Sequence, residues 1–242
     1  MSRPYAPFLT ALALGLAVLL LALAVPLWSW WRGAPPAQQP TAQAVPAPWA
    51  AEVQGTTLSL LGLRLPGSRW GEVAARWGDN VQLAVMARRD QAGRLEAYID
   101  RVDAGGVLGR LVLVFDLPDD TLRALQQGAA KAEPVDGVLW RHVLRGEQRQ
   151  QLAAAPLSSV SFVVSTRLEV ATLRQRYGAP AQRWLEAGRL RHWLYPERGL
   201  ALVLDPEGRH VLQAVAPAEF DARLRAPLRA AGASLLPDDT AD

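Results

Sequence analysis

Three histidines, His142, His192 and His210, are the only ones in the 242 residues, and each stands in its own strand-like segment. A metal site needs three or four convergent ligands. Here no two histidines share an i, i+4 helical spacing, and cysteine is absent. The sequence thus implies no metal and no cofactor, and a strand alternation that turns His192 toward the core. A serine hydrolase would need its nucleophile on a tight strand-to-helix turn, and no G-x-S-x-G occurs. Ser68, Ser159 and Ser165 suit caps and strands instead. No P-loop and no dinucleotide fingerprint is present. Asp119 and Asp120 stand at the start of a helix, where carboxylates satisfy free N–H groups. The chemistry-bearing residues point to binding, not to catalysis.

The sharpest binding candidate comes from strand alternation. In "GRLEAYI" (93–99), Leu95, Ala97 and Ile99 form an apolar face, which leaves Glu96 and Tyr98 on the other. The segment "GRLRHWL" (188–194) has the same opening, so Arg191 and Trp193 take the equivalent places, with Tyr195 following. Aromatic rings beside arginine make protein-binding patches. The candidate protein-binding face is Glu96, Tyr98, Arg191, Trp193 and Tyr195.

The elements that would carry this face are written twice. "VAARWGDN" (73–80) and "LRQRYGAP" (173–180) both end a helical run in arginine, an aromatic residue and glycine, with Gly78 and Gly178 one hundred residues apart. Trp70, Val73 and Trp77, and again Val170, Leu173 and Tyr177, fall on one helical face. Gly78 and Gly178 stop the helices, and Pro180 prevents continuation. A Thr166-x-x-Glu169 capping box is expected to open the second helix. Downstream, "LVLVFD" (111–116) matches "LALVLD" (200–205) in the same order. Three blocks in one order read as an internal repeat. Each unit is expected to be strand–helix–strand–strand, a helix lying on an antiparallel sheet.

The N-terminus has a different character. Phe8–Trp28 contains no charge, and its length matches a bilayer core of about 30 Å. Trp28, Trp30, Trp31 and Arg32 then form an interfacial belt. A retained helix and a leader cleaved near Ala24 both fit this pattern, and the aromatic belt suits the retained helix. Arg3 before the segment favours a cytoplasmic N-terminus and an exported remainder. The Pro/Ala/Gln-rich stretch 33–50 has no charge and reads as an extended spacer. The expected fold class is α+β: an N-terminal transmembrane helix, then two helix-on-antiparallel-sheet repeat units. The expected division is an anchor over 1–32, a linker over 33–50, a first unit with its connecting segment over 51–152, a second unit over 153–231 and a disordered tail over 232–242.

Charge adds an exclusion. The formal net charge is +3, and Lys131 is the only lysine. Arg3 and Arg32 flank the apolar segment, and the rest is close to neutral. No basic run tracks a nucleic-acid backbone, so no nucleic-acid partner is expected.

The second unit resembles the SmpA/OmlA (BamE-type) family of small outer-membrane lipoproteins. The likeness rests on "RYGAP" with Gly178 and Pro180, "HWLY" with Trp193 and Tyr195, "LALVLDPEG" and "RHVLQAV", over Thr166 to Val215. Related folds occur as tandem pairs in β-lactamase-inhibitor-like proteins, where two sheets make one binding surface. The resemblance implies an envelope protein that works by contact. The lipid-bearing cysteine of the family is missing, which argues for the inner membrane in place of the outer. The function expected is that of a single-pass, membrane-anchored periplasmic protein, a protein-binding or scaffold module of the bacterial envelope. It would meet the lipid bilayer through its N-terminal helix and an envelope protein through its folded part. The alternative is a lipid- or small-ligand-binding accessory protein that uses a cleft between the two units.

Overall fold

The computed structural model describes residues 51–237. The expected anchor over 1–32, its belt at Trp28, Trp30, Trp31 and Arg32, the linker over 33–50 and the last five residues lie outside the described part. Strands β1 (Glu52–Gln54), β2 (Thr57–Leu60) and β3 (Leu63–Leu65) form a small antiparallel meander. Helix α1 (Trp70–Trp77) follows, then β4 (Val81–Arg88), β5 (Arg94–Asp103) and β6 (Leu108–Phe115). A connecting segment holds α2 (Asp119–Gln127), β7 (Lys131–Pro134), β8 (Leu139–Val143) and α3 (Gly146–Gln151). The second half is β9 (Leu157–Val164), α4 (Val170–Tyr177), β10 (Gln182–Glu186), β11 (Leu190–Tyr195), β12 (Leu200–Leu204) and β13 (Val211–Val215). A π-helical turn (Asp221–Arg225), α5 (Ala226–Ala230) and β14 (Ser234–Leu235) close it.

The expected α+β fold class is corrected by this arrangement. The structure is mostly β, 42% strand against 27% helix, and its helices are short. Eleven strands form one sheet in the order β14-β10-β11-β12-β13-β9-β6-β5-β4-β8-β7. Every pairing in it is antiparallel. Strand β9 bonds β13 on one side and β6 on the other, so the sheet runs unbroken through both halves. Strands β4 and β10 were absent from the expected strand–helix–strand–strand unit. Each follows its helix and pairs antiparallel with the strand after it. The expectation of a membrane, transmembrane or signal-anchor protein is corrected as well. Among the described residues no helix is long and apolar enough to cross a membrane.

The principal core lies on one face of the sheet. It takes Leu95, Ala97 and Ile99 from β5, Leu111, Leu113 and Phe115 from β6, and Leu200, Leu202 and Leu204 from β12. The small meander, Trp70 and Val73 of α1, and Leu173 and Tyr177 of α4 close over it. Trp70 meets Phe115 edge to face, with ring centroids 5.8 Å apart. Gly78 and Gly178 both take positive φ and end their helices, each N–H reaching back to the carbonyl four residues earlier. The expected capping box does not form. Helix α4 starts at Val170 with no side-chain cap, because the Thr166 hydroxyl instead accepts a hydrogen bond from the Leu108 N–H at the start of β6.

Candidate functional site: a groove on the open sheet face

The second face of the sheet is covered only at its ends. At one end the C-terminal helical segment packs Phe220 and Leu228 on Trp184, Leu194, Ala201 and Val215. At the other, Ala84, Met86 and Leu139 make a small cluster. Between them lies a groove of about 680 Å³. Its floor is built from the positions on β6, β9, β12 and β13 that alternate with core residues: Val112 and Val114, Ser159, Ser161 and Val163, Val203, and Val211 and Gln213, with Ala201 and Val215 running beneath the C-terminal segment. Ser161 stands directly beside Val112 on one side and Gln213 on the other. The floor is thus apolar toward both walls, with Ser159, Ser161 and Gln213 as a polar seam in its middle.

Both walls carry ionisable groups. Glu96 of β5 is buried, with Arg94 its nearest cation at 3.7 Å. Burial raises its carboxyl pKa above the ordinary value, and the Arg94 charge offsets part of the shift. Opposite, His192 of β11 shares a 2.9 Å hydrogen bond with Glu186 of β10. Two strands, β12 and β13, separate His192 from Ser161, which puts the serine far beyond proton-transfer reach. Among the described residues no three side chains of metal-ligand type converge. The groove is shaped to hold a ligand by contact, with an apolar floor and a few fixed polar groups.

The five residues of the sequence-derived binding face do not come together. Glu96 and Tyr98 lie on the groove side of the sheet. Tyr98 is half-buried beside the groove, its hydroxyl donating to Asp100 at 3.1 Å. Arg191, Trp193 and Tyr195 lie on the helix side. Trp193 is fully buried in the principal core, and Tyr195 is buried with its hydroxyl donating to the Gly178 carbonyl at 2.9 Å. His192, expected to face the core, lies in the groove wall instead. The cause is pairing register: Leu95 stands opposite Val85 of the core, whereas Leu190 stands opposite Glu186 of the groove wall. The turn between β10 and β11 is Ala187–Arg189, which pairs Leu185 with Arg191 and Trp184 with His192. The longer β4–β5 turn pairs Val85 with Leu95. The matching "GRL" segments therefore enter their strands one residue out of phase, and a one-residue slip moves every side chain to the other face.

The groove floor was missed because no short motif marks it. One signal was present: "LVLVF", "LALVL" and "VLQAV" are apolar at nearly every position. Such strands are covered on both faces, unlike strands of alternating character.

The fold and groove define an antiparallel-sheet protein with one face packed by helices and one left concave. Comparison of the chain with protein-family models, with curated proteins and with solved structures gives no match.

Proposed function

We propose that this chain is a non-catalytic binding protein of the bacterial envelope, and that its groove takes an elongated, largely apolar small ligand or lipid. The observation that carries this reading is the floor: a concave apolar surface of about 680 Å³ with one central seam formed by Ser159, Ser161 and Gln213. That volume falls within the range of about 300–1,000 Å³ usual for small-molecule sites. The seam would orient a ligand through one polar group along an otherwise apolar body. The envelope location rests on the resemblance of Thr166–Val215 to the small lipoprotein family. A second reading, a protein-binding or scaffold module, uses the same surface with an apolar segment of a partner protein as occupant.

The test is fluorescence titration with a long-chain fatty-acid analogue carrying an environment-sensitive dye. Saturable one-to-one binding that is lost in Ser161→Arg and in Val112→Arg supports the ligand reading. Both side chains are half-buried on the floor, and an unchanged far-UV spectrum checks that the variants fold. Binding that survives both substitutions overturns the reading. Failure to bind the analogue, with capture of an apolar peptide that Ser161→Arg abolishes, transfers the groove to the second reading.

A further inference from the structure

On the helix side of the sheet, away from the groove, a cavity of about 450 Å³ lies between the β12–β13 turn and the start of α4. We propose that this cavity is a binding site for a tetrahedral oxyanion of the phosphate or sulfate type, gripped by Arg167 and Arg191. Among the described residues neither arginine forms an ion pair, whereas Arg189, Arg209, Arg223 and Arg225 of the second half do. Two guanidinium groups lining one cavity are the donor geometry that oxyanions use best. The stem of Arg167 is held in place by the turn. A Cβ on Gly208, whose φ is +82°, would come within 3.2 Å of the Arg167 Cγ. The helix behind them starts without a side-chain cap, so its partial positive charge also falls on the cavity.

A second observation concerns His210, which lines the cavity at only 3% exposure. Its Nε2 lies 3.0 Å from the Leu168 carbonyl, an acceptor, so Nε2 carries the proton. Nδ1 is buried and has no partner among the described residues. Burial is the main reason its pKa lies below the ordinary value. The Leu168 carbonyl and Asp205 oppose the shift, and Arg191 adds to it. An oxyanion between the arginines cancels the Arg191 contribution and draws a proton onto His210. Two carboxylates also line the cavity. Asp205 is engaged by the Glu207 N–H at 2.9 Å and by Arg209 at 3.6 Å, while Glu169 is exposed at the rim.

Sulfate is the probe, because its charge is constant through the histidine range. The full chain holds three histidines, so their ring resonances are readily assigned by substituting each in turn. The expected result is a saturable shift of the His210 signal with sulfate at constant ionic strength, a rise of its pKa on binding, and tighter binding at lower pH. Arg167→Gln and Arg191→Gln are each expected to weaken binding by roughly ten-fold or more, the usual loss for a charge-assisted hydrogen bond. Arg167 is exposed, so its variant leaves the fold intact. A His210 signal that sulfate moves no more than chloride does, or an equal response in Arg167→Gln, overturns the proposal. Glycerol phosphate, run in parallel, separates a phosphomonoester site from one that takes only the free anion.

Discussion

Arg223 and Asp116 form an ion pair across 107 residues of chain. Arg223 sits in the π-helical turn before α5, and Asp116 directly follows β6. Arg223 also holds Glu219 of its own segment, Nε to carboxylate at 2.8 Å. One guanidinium thereby fastens the C-terminal helical segment, a wall of the groove, to the first half of the sheet. The wall's position depends on a polar clamp at its edge and on the Phe220 and Leu228 contacts beneath it.

Breaking the clamp is expected to loosen the wall without unfolding the protein. All three side chains are partly exposed, and such pairs are worth about 0–1 kcal/mol. Arg223→Gln should therefore lower global stability by about 1 kcal/mol at most. Amide hydrogen exchange in 221–230 should accelerate well beyond that of β12 and β13. Equal acceleration throughout would show that Arg223 acts on the whole fold and not on the wall.

Trp193 is expected to behave as a core residue. It is fully buried, and its indole Nε1 has no partner among the described residues. Trp193→Ala should cost about 3–5 kcal/mol, as large cavities do. Trp193→Phe removes the unpartnered N–H, whose burial costs about 1–3 kcal/mol, and keeps much of the volume. It should therefore be distinctly milder than the alanine variant. Urea denaturation of the pair decides the point, and equal losses would mean that the indole N–H has a partner in solution.

The glycines of two neighbouring turns should respond very differently. Gly199 has φ +65°, and a Cβ there would lie 2.2 Å from the Val215 carbonyl oxygen. Gly188 has φ +66° with nothing within 4 Å. Gly188→Ala should cost only the left-handed backbone penalty of about 1–2 kcal/mol. Gly199→Ala adds a backbone collision at the β12–β13 pairing and should cost clearly more. Thermal denaturation of the two variants tests this, and similar losses would place the Val215 carbonyl elsewhere.

Local features of this fold were legible in the sequence, and distant ones were not. Gly78 and Gly178 marked helix ends because a positive φ is a property of one residue. The strand cores "LVLVF" and "LALVL" were legible from apolar β-prone runs. Strand β4, "VQLAVMAR", lacks a clean alternation because Ala84 and Met86 are buried on the groove side while Leu83 and Val85 are buried in the core. The face taken by Trp193 could not be read from its segment at all. It is set by the pairing register that puts Trp193 opposite Arg183 of β10, not by any residue of the matching motif. The groove joins residues from β6, β9, β12 and β13, which share no local pattern and meet only through the strand order.

Glu96 yields the prediction that depends on pH. Its carboxyl is buried and its pKa in the folded state lies above the ordinary carboxylate value. Between those two values the folded chain holds a proton that the unfolded chain has released. Stability from this group is therefore fully present below the ordinary carboxylate pKa and is lost as pH rises through the raised value. Above that window the folded state carries a buried charge, whose cost is about 1.4 kcal/mol for each unit of the shift. Glu96→Gln keeps the shape and removes the charge, and Arg94 is exposed enough to be solvated alone. The variant should be more stable than the parent at neutral pH, and its advantage should shrink to nothing as pH falls below the carboxylate range. Melting temperatures measured across that range test the sign. A variant less stable at neutral pH would mean that the Arg94 pair outweighs the burial of Glu96, and that the groove wall needs the charge.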